Sequence, residues 1–327
     1  MHDATRHYTL DLSVRKQLGN LATAMTDANL PPAPHDNDAD RSIFTAERMT
    51  QCLIGVMVIV SCVLFSMGAK IIGWPSEPGF RASLAQPPVS IAGFLTAIVL
   101  LCLCTALGTA VLGRRWFLAG LMSATAGLAV WSVRGGPTTP VVLRADTTHA
   151  ASLVFFEMLA ELIVLFAVIA AIWNFLWTRM APSLTLPVGK AKHAEEGRST
   201  GAAVVAQAAM MAVFVLIFVA TSQKKQVMIG VFLAGLFSTS IAESFFADRK
   251  AGRWYWAGPL IAGAAGYIVN MWSPQGVEIG DPSGTFAALA RVLPLDYASL
   301  GCAGTLLGYW WAMPGEEAEE TSSTTKT

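Results

Sequence analysis

The sequence predicts an all-α, polytopic integral membrane helix bundle of about eight transmembrane helices, arranged as two parallel four-helix copies. Three observations carry the membrane part of that expectation. Of 327 residues, 54% are hydrophobic and only 13% charged, about half the charged share of a soluble domain. The apolar residues come in long unbroken runs rather than amphipathic stripes, and mean hydropathy is +0.52. The ten tryptophans fall at or near the ends of those runs, where an amphipathic ring sits at headgroup level.

Residues 1–47 read as a polar N-terminal extension. Within it Leu10, Val14, Leu18, Leu21 and Met25 recur at helical spacing, which suits a short amphipathic helix ahead of the Pro-rich, acidic stretch Pro31–Asp40. No short apolar h-region precedes the first run, so that run itself is expected to direct insertion. Spans are expected at 49–69, 89–112, 116–133 and 153–177, then at 203–222, 226–247, 254–272 and 298–313. Most reach the ~17–25 residues that a hydrocarbon core of about 30 Å requires, and the last is the shortest. A first membrane unit at 48–178 and a second at 202–314 are thus separated by a basic, polar linker, 179–201. The tail 315–327 is acidic and then Ser/Thr-rich, a disordered composition.

Orientation follows from the cations. With the N-terminus in the cytoplasm, roughly two-thirds of the 22 lysines and arginines fall on the cytoplasmic side. The expectation is an inner-membrane protein with both termini cytoplasmic. The short turn holding Lys224 and Lys225 runs against it.

The two units resemble each other. The third span opens Arg115-Trp116-Phe117-Leu118-Ala119-Gly120 and the seventh opens Arg253-Trp254-Tyr255-Trp256-Ala257-Gly258, while the fourth and eighth both begin Ala-Ser-Leu. Gln51 and Gln207 stand near the inner ends of the first and fifth spans. An even number of spans per unit gives both copies the same orientation, hence a parallel repeat about the membrane normal.

The candidate site lies in the fourth span. Glu157 and Glu161 are spaced i, i+4, which puts both carboxylates on one helix face. At 1.5 Å per residue they lie about 6 and 12 Å below the outer edge. A charged acid at such depth costs on the order of 3 kcal/mol, so a partner or a proton is required. His149, two turns earlier, extends the stripe into a candidate proton or ligand site. The blander reading has Glu157 reaching the interface and Glu161 bonded to a neighbouring span. In the repeat alignment Asp296 falls opposite His149, Gly304 opposite Glu157 and Gly308 opposite Glu161. Gly301, Gly304 and Gly308 make a smooth strip for close helix packing, with room beside the carboxylates if the two faces meet. Asn174 and Asn270 read as interfacial, and the apolar stretch Phe286–Leu295 as a segment lying flat on the outer surface.

Function classes can be trimmed. Zero net charge offers nothing to nucleic acid. Cys52, Cys62, Cys102, Cys104 and Cys302 form no CxxC or Cys/His cluster, so neither a metal nor a disulfide framework is expected. No catalytic signature occurs, and no cofactor is expected. What remains is a non-catalytic membrane scaffold or assembly subunit, partnered by the lipid bilayer and by a second copy or another membrane protein. The alternative is a small proton- or ion-coupled transporter using the intramembrane Glu pair.

Overall fold

In a computed structural model, the described residues are 37–72, 84, 90–113, 116–136, 148–180, 200–220, 223–246, 254–272 and 287–312. Residues 1–36, most of the linker and the tail lie outside them, as does the amphipathic stretch Leu10–Met25. From Gln51 onward the chain forms one unit, described here by itself.

Every described element is helical: α1 Asn37–Ile71, α2 Ser90–Leu112, α3 Phe117–Arg134, α4 Thr148–Met180, α5 Thr200–Phe218, α6 Lys224–Phe246 and α7 Ala257–Trp272. A short α8, Ala287–Arg291, leads to the single turn α9, Pro294–Asp296, a π turn at Tyr297–Gly301, and α10, Cys302–Ala312. Six helices are long and apolar enough to cross a membrane, over Met49–Ile71, Ala92–Leu112, Phe117–Arg134, Ser152–Met180, Thr200–Phe218 and Lys224–Phe246. This is a helical membrane bundle. The last two expected spans take other forms. α7 has 16 residues, about 24 Å of rise. The final segment is not one regular helix but a run from Pro294 to Ala312 interrupted by the π turn.

Packing relies on small residues, as it must where lipid and side chains are equally apolar. Gly113 takes φ 79°, the left-handed conformation that closes the α2–α3 hairpin. A Cβ on Gly108 would stand 2.7 Å from the Cα of Gly120 across that hairpin. α3 also leans on α1: a Cβ at Gly127 would meet Ser61 and Phe65 at 2.8 and 2.9 Å. The Trp131 indole donates to the Phe65 carbonyl at 2.6 Å. Trp131 and Trp173 are therefore core residues, whereas Trp272 and Trp311 stay exposed. Asn270, expected at the interface, is buried, and its amide donates to the Gly266 carbonyl at 2.8 Å.

The main core gathers Phe155, Met158, Leu162, Leu165 and Ile169 from one face of α4 with residues of α3, α5, α6 and α7. The segment 287–296 enters this core. Val292, Leu293 and Leu295 are each at most 1% exposed. Over 288–295 the flat surface segment expected at Phe286–Leu295 is thus corrected to an inward one, Phe286 itself lying outside the described residues. Carbonyls at a helix break need donors when water is excluded, and the core supplies them.

Candidate functional site

The site is built around that break, at the end of the bundle that carries Lys224. Leu293 is extended (φ −72°, ψ 155°), Pro294 starts the next turn, and Asp296 sits at its third position. There the Asp296 carboxylate turns back to accept the Leu293 N–H at 3.0 Å, a cap for a helix start. The same carboxylate is fully buried. It accepts the Ser132 hydroxyl from α3 and is ion-paired to Lys224, whose Nζ lies 2.7 and 2.8 Å from its two oxygens. Lys224 opens α6, where the helix dipole disfavours a cation. Asp296 offsets that, and the pair joins α3, α6 and α9.

The carbonyls freed by the break are met by phenols. Tyr267 of α7 donates to Val292 O at 2.5 Å and Tyr297 to Leu289 O at 3.0 Å. Arg291 donates to Ala220 O at 2.8 Å. The two tyrosine rings meet edge to face at 6.4 Å. Gly263 makes the arrangement possible, since a Cβ there would stand 2.7 Å from the Tyr297 ring and 3.0 Å from Leu162 of α4.

Glu161 reaches the same neighbourhood from α4. It is 1% exposed, and its Oε2 accepts the Leu84 N–H at 2.8 Å. Tyr267 lies within electrostatic reach of Glu161, Asp296 and Tyr297 together. Two carboxylates, one ammonium and two phenols from α4, α6, α7 and the broken segment therefore share one region of the bundle. Hydrogen bonds to ionised groups are worth about 1.5–3 kcal/mol each, and such bonds are needed to offset the several kcal/mol of desolvating each ion. Chemically the region can hold charge and fasten the bundle.

The sequence-derived site is brought together only in part. Glu161 is buried within electrostatic reach of Tyr267, but Glu157, at the edge of that face of α4, is exposed. A 40° step per four residues, applied at the edge of a buried face, separates the two. His149 is in the first turn of α4, with its side chain outside the described residues. The glycines face α6 rather than Glu161. A Cβ on Gly304 would collide with the Phe232 carbonyl, one on Gly308 with the Leu236 carbonyl, and one on Gly301 would touch Val231 and Pro259 at 3.2 Å. No space is left beside the carboxylates by that strip. Among the described residues no cluster of His, Cys, Asp and Glu could hold a metal ion.

Lys224, Asp296, Ser132, Tyr267 and Tyr297 were not among the expected site residues. Two of them had a signal in the sequence: Lys224 in a turn that ran against the expected charge bias, and Asp296 directly ahead of an apolar run. No protein-family model, no curated protein and no solved structure matches this chain.

Proposed function

We propose that this chain is a non-catalytic membrane scaffold or assembly subunit, built from eight membrane-crossing segments and lying in the inner membrane with both termini cytoplasmic. The observation that carries the reading is how the buried acids are used. Glu161 is tied to Leu84, and Asp296 to Lys224, Ser132 and Leu293. The contacts to Leu84, Lys224 and Ser132 fasten segments far apart in the chain, as expected of a frame that must hold one shape. The pairing of Lys224 with Asp296 also supports the proposed orientation, because it neutralises the cation that counted against it. The 4+4 reading is supported by the packing between the halves: α3 packs on the final segment and α4 on α7. A parallel two-fold that relates the third to the seventh span and the fourth to the eighth exchanges those two contacts. The copies have diverged, since Gln51 is exposed while Gln207 is buried against Thr239.

The helix break favours a second reading, a proton- or ion-coupled carrier. Interrupted helices at membrane depth that gather ionisable groups mark coupling sites in transporters, and here Asp296 at the break and Glu161 of α4 both lie within electrostatic reach of Tyr267. Reconstitution of the purified chain separates the two. The scaffold reading expects self-association or a stoichiometric partner in mild detergent, with Glu161→Gln lowering thermal stability and leaving proton flux at the empty-vesicle level. A lone monomer whose pH-driven flux is abolished by Glu161→Gln at unchanged stability would transfer the conclusion to the carrier.

A further inference from the structure

Asp296 and the glycines of α10 address one neighbour, α6, from the two sides of the π turn. Asp296 is ion-paired to Lys224. Beyond the turn Gly304 lies on the Phe232 carbonyl and Gly308 on the Leu236 carbonyl. Phe232 is as far along α6 from Lys224 as Gly304 is along its own run from Asp296. In an uninterrupted α-helix, Gly304 and Gly308 would stand about 80° and 120° round from Asp296. The π turn changes that. The Cys302 N–H donates to the Tyr297 carbonyl, five residues back, as well as to that of Ser299. The turn therefore takes up one residue more than an α turn does. With that residue absorbed, all three positions fall within about 20° of one face. One run of chain can then present both an acid and a glycine seam to α6.

The two sides are not held alike. A rotation of α10 by one residue would bring Leu307 or Tyr309 to the place of Gly308, where a Cβ collides with the Leu236 carbonyl. Gly235 closes the seam from α6, since a Cβ on it would stand 2.5 Å from the Gly301 carbonyl. Upstream, polar contacts set the facing of Asp296 and Tyr297: the pair with Lys224, the Ser132 hydroxyl and the bond from Tyr297 to the Leu289 carbonyl. We infer that the π turn is a conformational joint latched by the Lys224–Asp296 pair. With the latch open the surplus residue passes into the helix and α10 stays seated, while the segment from Pro294 to Tyr297 turns by about 100°. Tyr297 then leaves Gly263 and the Leu289 carbonyl. Helix register shifts belong to the μs–ms motions of proteins, and single π turns within helices often stand at functional positions. The joint is a property of the bundle whether it serves as a scaffold or as a carrier, and it identifies the part that moves.

The test is thermal unfolding of the purified full chain in detergent, and it asks whether crowding of the Tyr297 ring is still felt once the latch is open. Gly263→Val alone is expected to lower the unfolding midpoint. Combined with Lys224→Met and Asp296→Leu, its loss should shrink to about a third or less, the coupling that a shared backbone shift produces. Deleting Ala298 removes the surplus residue and makes the run one α-helix, with Asp296 and the glycines still on one face. That chain is expected to fold. In it Gly263→Val should cost the same with the latch closed or open, because no residue is left to give. Deletion of Leu300 is the second choice within the turn, and deletion of Leu306 in α10 is the control that should abolish folding. Equal Gly263→Val losses with the latch closed and open would overturn the joint. So would relief that persists after Ala298 is removed, since the segment would then merely loosen. Failure of both turn deletions to fold would overturn it too, because the flanking turns would then need all five residues between them.

Discussion

The two faces of α4 carry one carboxylate each, a single turn apart, and they have opposite fates. Glu161 is enclosed, tied to a backbone N–H, and within electrostatic reach of Tyr267. Glu157 is exposed. Inside the bundle an acid is affordable because donors from other elements converge on it; outside, the same group must find a headgroup, a proton or another helix. The difference teaches that spacing along a helix establishes neighbourhood, whereas the line between protein and lipid is drawn by what packs against the helix.

That contrast is broken most severely from the enclosed side. Lys224→Met leaves Asp296 fully buried without its cation, and removal of one partner of a buried pair costs about 3–5 kcal/mol. Thermal unfolding in detergent should show a large drop, and Lys224→Met combined with Asp296→Leu should recover much of it. A double variant no better than the single would mean that the network, rather than the uncompensated charge, holds the bundle. Next in size is Gly263→Val, which pushes a branched side chain against Tyr297 and Leu162. Overpacking of this kind costs about 1–3 kcal/mol. A neutral Gly263→Val would show that the seat of Tyr297 is loose and the enclosed face of α4 less fixed than its contacts imply.

Much of this was legible from residues alone. The apolar runs marked the six span-length helices to within a few residues, with the α2–α3 and α5–α6 hairpins, because hydrocarbon leaves a chain few alternatives to a long helix. Glu161 was legible as a buried acid in need of a donor, although nothing local named Leu84, 77 positions away. The broken segment was not legible. Phe286–Leu295 has the composition of a surface amphipathic stretch, and only tertiary donors, the Tyr267 and Tyr297 phenols, make its burial tolerable. Asp296 looked like the polar flank of a span. Lys224 looked like an exception to the charge rule. Each explains the other, but that relation spans 72 residues and has no signature in either neighbourhood.

A gentler change probes the enclosed carboxylate itself. Glu161→Gln keeps an oxygen that can accept the Leu84 N–H and removes only the charge, so the loss should be about 1 kcal/mol, the difference between a charged and a neutral acceptor. Glu161→Leu should cost more, since a buried N–H then loses its partner. Equal losses from the two would mean that the bond to Leu84 contributes nothing and that Glu161 is held by the charges around it.

The smallest effect is expected one turn away, and it is the most informative about the comparison. Glu157→Gln and Glu157→Leu should each change the stability of the detergent-solubilised monomer by no more than about 0.5 kcal/mol, the usual range for exposed sites without special contacts. The measurement is thermal unfolding at a dilution where only single copies are present, paired with the same variants in vesicles. A detergent micelle supplies water and headgroups to an exposed carboxyl, whereas a bilayer fixes its depth. If Glu157 matters in both settings, the helix has been turned and the two faces of α4 are less distinct than their burial indicates. If it matters only in the bilayer, the exposed carboxylate is addressed to something that the monomer lacks.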